Sequence, residues 1–398
     1  MGGGAAKLHA MHRDERRALL SAAAARGIAY LEGLEARPVV PAAEPIDRLR
    51  QALRAPLPDG PTADQEVLAF LDDLGTPATV ANAGGRYFGF VTGGALPASV
   101  AASWLATAWA LNSFCFVSSP AVALYVDAAL TWLKSVLDVP AEAGGALVTG
   151  ATMANFTGLA AARHKVLKQA GWDVERQGLF QAPEITVIVG DEVHGSLLKV
   201  LGMLGLGRER VLRVDADRQG RMRPELLPKI AGPTILCLQA GNVNSGAFDP
   251  ASEIVPLAKA QGAWVHVDGA FGLWAKAVPG LASLAAGFEA ADSWATDAHK
   301  WLNVPYDCGV ALVRDAEALQ QAMSISGAYL MLGAERVAIN VTPECSRRAR
   351  AIEVWAALKA LGRAGLAEMI ARNCEQARWL ADRLAAAGVE ILNDVVLN

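Results

Sequence analysis

The sequence predicts an α/β protein whose large domain is built on a mostly parallel seven-stranded sheet, flanked by an N-terminal helical segment and an α+β C-terminal piece. Three observations carry this reading. After about residue 121, short apolar runs recur seven times, and a helical stretch fits between most consecutive runs, which is the alternation that parallel strands with crossover helices require. The 398 residues exceed the length at which one core keeps growing, so at least two packed units are expected. Hydrophobic residues make up 53% and charged residues 19%, a balance that excludes a disordered chain.

Taken in order, Arg13 to Ala36 has Leu19, Leu20, Ala23, Ala24, Ile28, Leu31 and Leu34 at helical spacing and predicts an amphipathic helix. A Pro-rich connector over 38 to 61 follows, then a short helix from Thr62 to Leu74, where Thr62 to Gln65 resembles a capping box. This part has too little apolar surface to fold alone. The strands are expected at Ala146 to Thr149, Ile185 to Val189, Val211 to Val214, Thr234 to Gln239, Trp264 to Val267, Ser293 to Thr296 and Gly309 to Val313. Helices are expected at Ala154 to Ala170, Ser196 to Leu204, Arg223 to Ile230 and Ser252 to Gln261. Arg347 to Leu361 and Leu366 to Ala387 should be helical, and Gly388 to Leu392 should begin another strand that has nothing visible to pair it, which suggests a missing C-terminal piece. The expected domains are 1–85, 86–315 and 316–398.

Between Tyr87 and Val126 there is no Asp, Glu, Lys or Arg. Gly93, Gly94, Pro97, Asn112 and the Ser118-Ser119-Pro120 corner interrupt this stretch, and its clean helical piece, Leu96 to Leu111, is short for a bilayer. A buried helix at a subunit interface is the expectation, with no membrane span. The 36 Lys and Arg nearly balance the 40 Asp and Glu, for a net charge of −4 without blocks of like charge, so there is no nucleic-acid footprint. Met1 to Ala6 fits neither a secretory signal nor, with Ala6 in place of Ser or Thr, a myristoylation site. Five scattered cysteines without CxxC spacing indicate neither a disulfide framework nor zinc, and point to the cytoplasm.

Four segments carry chemistry. In ADSWATDAHKWL (291–302), Lys300 lies among apolar neighbours Trp294, Trp301 and Leu302, which would partly desolvate its ammonium as a Schiff-base lysine requires; alone, it reads equally as a surface lysine. In AWVHVDGAFG, His266 and Asp268 share one strand face, with Asp268 at the C-terminal end where open parallel sheets hold their sites. That Asp needs a cationic partner if it is buried. It reads as a turn cap, as one of two metal ligands lacking a third, or as the partner of a protonated pyridine nitrogen. In LVTGATMANFTGL (147–159), Gly150, Ala151 and Thr152 form a small-residue turn into a helix, able to cradle phosphate but matching neither the P-loop nor the dinucleotide fingerprint. In GDEVHGSLLKV (190–200), His194 follows a strand, either as a structural residue or as a flat ring for stacking on a cofactor.

Together, in this order, these segments resemble the fold-type I pyridoxal phosphate enzymes of the group II amino-acid decarboxylase family, which includes aromatic-amino-acid, glutamate and 2,4-diaminobutyrate decarboxylases. The closest matches are Asp268-Gly-Ala and Asp297-Ala-His299-Lys300-Trp301, with further likeness at Tyr87-Phe88-Gly89-Phe90, Ser119-Pro120-Ala121, Asp307-Cys308 and Arg347-Arg348-Ala349-Arg350. The resemblance implies pyridoxal 5'-phosphate as cofactor, an L-amino acid as substrate and a homodimer. It implies Lys300 as the Schiff-base lysine, Asp268 at the pyridine nitrogen and His194 stacked on the ring, with Ala270 against the other face. Gly150, Ala151 and Thr152 would hold the phosphate with His299 nearby, and Asn242 and Asn244 would occupy the loop where the family has Thr-rich sequence.

Several positions depart from the family pattern. Gly84-Gly85-Arg86 replaces a His-Pro pair, and the loop expected near Leu332 to Thr342 has no Tyr proton donor, Tyr329 lying before it. Asp297 puts a charge where the family tends to be neutral, and is expected to point away or pair with a base. The chain is also shorter than family members. These departures leave open an aldehyde synthase or other carbon–carbon lyase, and a cofactor-binding protein without turnover.

Overall fold

The computed structural model describes residues 13–325 and 338–398. Tyr329, and most of the loop expected at Leu332 to Thr342, lie outside the described residues. The chain divides into two compact units between Thr92 and Gly93. No separate unit begins at 316.

The first unit holds α1 (Arg13–Glu32), α2 (Ala43–Ala52) and α3 (Asp64–Phe70), and none of these helices fully buries a residue. Arg26 pairs with Asp72 at 2.7 Å, and the Thr76 hydroxyl donates to the same carboxylate at 2.7 Å. Helix α2 lies where only a connector was expected. Pro45 falls in its first turn, where a missing N–H removes no helical bond, so the Pro-rich composition does not forbid it. The capping box does not form, because Ala63 rather than Thr62 is the N-cap of α3 and makes no side-chain bond.

The second unit contains the sheet, whose strands are β1 (Gly144–Val148), β2 (Thr186–Gly190), β3 (Leu212–Val214), β4 (Thr234–Gln239), β5 (Trp264–Asp268), β6 (Ser293–Asp297) and β7 (Gly309–Val313). Each of the seven strands expected between Ala146 and Val313 is present within two residues of its expected ends. The order is β1-β7-β6-β5-β4-β2-β3, and only the β7 pairings, with β1 and β6, are antiparallel. The remaining α-helices are α4 (Pro97–Trp109), α5 (Pro120–Val136), α6 (Ala151–Gln169), α7 (Val174–Gln177), α8 (Gly195–Met203), α9 (Ala251–Ala260), α10 (Ala316–Met323) and α11 (Ala351–Ala386). Helix α6 is rich in small residues and buried through most of its length, from Ala151 to Leu167. It packs on β5, β6 and β7, and the main core cluster joins it to α8, β2, β4 and α10.

Two expectations need correction, one at Arg223 to Ile230 and one at Gly388 to Leu392. Arg223 to Ile230 forms only a 3-10 turn, Pro224–Leu226, since Pro228 cannot donate to a continuing helix. The two C-terminal helices are both present, within the run α11, and the break between them at Gly362 (φ 59°, ψ −175°), a left-handed φ that glycine adopts without strain, falls in the expected gap after Leu361. Residues 388 to 392 form no strand, so among the described residues the part after β7 is helical without a β component. The tail instead sends the Asp394 N–H to Gln219 and pairs Asp394 with Arg221. Helix α4, expected at a subunit interface, buries Ser99 and Ala102 within the single chain and leaves Trp104, Leu105 and Trp109 exposed. No helix among the described residues is long and apolar enough to cross a membrane.

Strand β7 passes directly beneath the turn that opens α6. A Cβ on Gly309 would overlap the Gly150 backbone. Gly309→Ala should therefore destabilise the protein by about 1–3 kcal/mol, as overpacking a tight core does, and urea denaturation would show a lower midpoint with an unchanged slope.

Candidate active site

The C-terminal ends of β4, β5 and β6 surround a cavity of about 350 Å³, with the first turns of α6 and α8 on its walls. The alternating pattern of β5 sends His266 and Asp268 to one face, toward α6. Asp268 is 6% exposed and accepts from Asn155 Nδ2 at 3.1 Å and from the Ala270 N–H at 3.2 Å. Burial pushes its carboxyl up, opposed first by the Asn155 hydrogen bond and then by the charges of Lys300 and His194. His266 lies deeper, its Nδ1 2.7 Å from Ser293 Oγ and its Nε2 2.8 Å from Asn155 Oδ1. Burial pushes the ring pKa down to about 3, so it is neutral. Both ring nitrogens are engaged by side chains, which leaves none for a metal. Among the described residues no group of three His, Cys, Asp or Glu is placed to hold one.

Lys300 follows β6 on the opposite wall. Its Nζ is 3.5 Å from Asp297 Oδ2 and 6.0 Å from the centre of the Phe271 ring. Phe271 is the aromatic neighbour, whereas the expected Trp294 and Trp301 turn their indole N–H groups to the Phe288 carbonyl and to Asn373. Asp297 does not point away from the cavity. It pairs with Lys300, and its Oδ1 accepts from the Ala151 N–H at 2.6 Å. Burial pushes this carboxyl up to about 6 against the pull of Lys300 and the Ala151 N–H. His299 accepts the Cys308 N–H on Nδ1 at 3.0 Å, so when neutral it carries its proton on Nε2, 3.4 Å from Asp297 Oδ1. Its ring lies over Tyr306, and burial with the Lys300 charge lowers its pKa to about 4.

Gly150, Ala151, Thr152, His194 and Ala270 all line the cavity. His194 is the N-cap of α8, its Nδ1 2.7 Å from Ser196 Oγ and accepting the Ser196 N–H. Asn242 and Asn244 do not line it. Asn242 Oδ1 accepts from the N–H groups of Asn244 and Ser245, so that side chain is used within its own loop, while Gln239, Gly241 and Val243 reach the cavity. Sequence reading missed Asn155, Phe271 and Gln239. For Asn155 a signal existed, a polar residue on a helix of small residues three positions before Gly158.

This donor set fits pyridoxal phosphate. An amine, a buried carboxylate and a helix N-terminus face one cavity, and the first-turn N–H groups of α6 have no partner inside the helix. The family model of the pyridoxal-dependent decarboxylase conserved domain matches residues 79–397. The chain belongs to that family. This decarboxylase is 28% identical over 358 residues to the aromatic-L-amino-acid decarboxylase of Bacillus atrophaeus, covering 86% of this chain and 72% of the relative. It is likewise 28% identical over 357 residues to the acidic amino acid decarboxylase GADL1 of Mus musculus, covering 86% and 64%. The solved structure of mouse CSAD matches with a TM-score of 0.84 at 25% identity, over 93% of this chain and 79% of that one. The fold is therefore that of the fold-type I pyridoxal phosphate decarboxylases. The protein is a pyridoxal phosphate-dependent carboxy-lyase acting on an amino acid.

Asp297 leaves a pH signature. Its folded pKa of about 6 lies above the ordinary 3.8, so the folded protein holds more proton between those values, and stability falls as pH rises through that window. The penalty is complete above pH 6 and absent below about 4. Asp297→Asn removes it, so the cofactor-free variant should gain on the order of 2 kcal/mol at pH 7.5 and nothing at pH 4, measured by urea denaturation at both values.

Proposed function

We propose that Lys300 holds pyridoxal 5'-phosphate through its ε-amino group and that Asp268 keeps the ring nitrogen protonated while an L-amino acid loses its α-carboxylate as CO2, leaving the amine. One observation carries this reading: the Lys300 amine and the Asp268 carboxylate face the same cavity as the opening turn of α6. When bound, the cofactor supplies an electron-accepting ring for the pair left behind by the departing CO2. The chain does the rest. Gly150 and Thr152 hold the phosphate through backbone N–H groups and the Thr152 hydroxyl, at the positive end of α6, beside Ala151, whose N–H is taken by Asp297. His194 supports one ring face and Ala270 the other. Asp297 balances the charge on Lys300, and His299, neutral and fixed by the Cys308 N–H, stands beside Asp297 as a donor on Nε2.

The protein is further proposed to be a cytoplasmic homodimer. The exposed, uncharged face of α4, with Trp104, Leu105 and Trp109, supports self-association, and five cysteines without a disulfide support a reducing compartment. Light scattering coupled to size exclusion should return twice the chain mass; a monomer alone would contradict the dimer.

Borohydride reduction of the loaded enzyme should leave a stable adduct on Lys300, located by peptide mass, and Lys300→Ala should leave none. With a panel of amino acids the enzyme should release CO2 and amine in equal amounts; aldehyde with peroxide would assign the synthase reaction instead. Asp268→Ala should lower kcat on the order of 100-fold with KM changed only a few-fold, since the ring nitrogen's charge matters most in the transition state.

A further inference from the structure

We propose that Asn155 and His266 are positioning residues for Asp268, the last links of a one-way hydrogen-bond chain that starts at Trp264, passes through Ser293 and fixes both the Asp268 carboxylate and one tautomer of His266. The proposal rests on the role given to Asp268 above.

The chain has four bonds. Trp264 Nε1 donates to Ser293 Oγ at 2.9 Å, and Ser293 Oγ lies 2.7 Å from His266 Nδ1. His266 Nε2 lies 2.8 Å from Asn155 Oδ1, and Asn155 Nδ2 donates to Asp268 Oδ2 at 3.1 Å. Asn155, His266 and Ser293 are fully buried and Trp264 is nearly so. Proton positions follow from what each group is able to do. An indole N–H only donates, so Ser293 Oγ accepts from Trp264 and has its own proton free for His266 Nδ1. The imidazole is then protonated on Nε2, which donates to the Asn155 carbonyl, and the Asn155 amide turns its N–H to Asp268. In this direction every nitrogen and oxygen along the chain has a partner.

The opposite direction fails at both ends. His266 Nδ1–H and Trp264 would both donate to Ser293 Oγ. Among the described residues Ser293 Oγ meets only these two groups, so its own proton would have no acceptor. At the other end Asp268 would have to carry a proton to bond a flipped Asn155 carbonyl. A buried hydroxyl without an acceptor is disfavoured, so the chain runs toward the carboxylate. Trp264 thereby sets the orientation of an amide three bonds away.

The packing is built for this contact. A Cβ on Gly158 would lie 2.9 Å from His266 Cε1 and 3.1 Å from Nδ1, so a glycine at this helical position lets α6 press against the imidazole and bring Asn155 into reach. The same helix opens with the phosphate turn, so α6 governs both ends of the cofactor site. Asn155 and His266 have no place in the cavity lining and act only through Asp268.

The direction is readable by NMR of protein labelled with ¹⁵N-histidine. Long-range ¹H–¹⁵N spectra, assigned from the backbone of residue 266, should show neutral His266 protonated on Nε2 in the cofactor-free and the loaded protein alike. A proton on Nδ1 overturns the chain. In the loaded enzyme, Asn155→Ala should lower kcat about 10- to 100-fold with KM within about twofold. It should also shift the nitrogen resonance of ring-labelled cofactor toward the unprotonated value; wild-type kcat with an unmoved resonance overturns the positioning role. Ser293→Ala serves if Asn155→Ala does not fold, and should let His266 populate the Nδ1–H tautomer; an unchanged tautomer counts against the chain. If the wild type forms no adduct on Lys300 and releases no CO2, the functional reading fails, while the tautomer in the cofactor-free protein still decides the direction.

Discussion

A carboxylate withdrawn from water at the end of a strand survives as an anion only if the protein surrounds it with donors, and Asp268 imposes that requirement on everything around it. Strand β5 is buried along its whole length, so no solvent supplies these donors from the sheet side. They come from the turn after the strand, through the Ala270 N–H, and from α6, through Asn155. Positive charge comes from Lys300 and His194 across the cavity. The small residues of α6 and the glycine facing His266 follow from the closeness this demands.

The opposite wall works on a different principle. Asp297 and His299 sit beside Lys300 in a pocket that burial makes unfavourable to charge, which pushes the carboxyl toward protonation and keeps the imidazole neutral. Net charge near the amine is therefore small, and the groups there are suited to sharing protons. At Asp268 the surrounding donors oppose that same effect of burial. One cavity thus holds two carboxylates that burial pushes the same way, opposed at Asp268 by Asn155 and at Asp297 by Lys300 and the Ala151 N–H.

The strands were legible because each is a short apolar run bounded by glycine, proline or a polar residue, and fully buried parallel strands have no other way to appear. His266 and Asp268 on one face, and the small turn at Gly150, were readable for the same local reason. The order of the strands was not, because β7 enters between β1 and β6 through pairings that no local pattern records. Asn242 and Asn244 misled because an asparagine that closes its own turn and one that contacts a ligand look alike in a Gly-containing loop. Asp297 was singled out as out of place, but the Ala151 N–H it accepts lies 146 positions away in sequence. Helix α2 was hidden by prolines whose effect depends on their position within the first turn.

The place of β7 has a consequence for how the molecule comes into being. Strand β1 leaves the ribosome first, yet it bonds to β7, and β7 alone joins it to the other five strands. Until Val313 has emerged, the phosphate turn after β1 and the lysine after β6 belong to two fragments with no shared ladder. The seventh strand is the keystone of the sheet. Such long-range closure slows folding, and it leaves strand edges open in a nascent chain until a late moment.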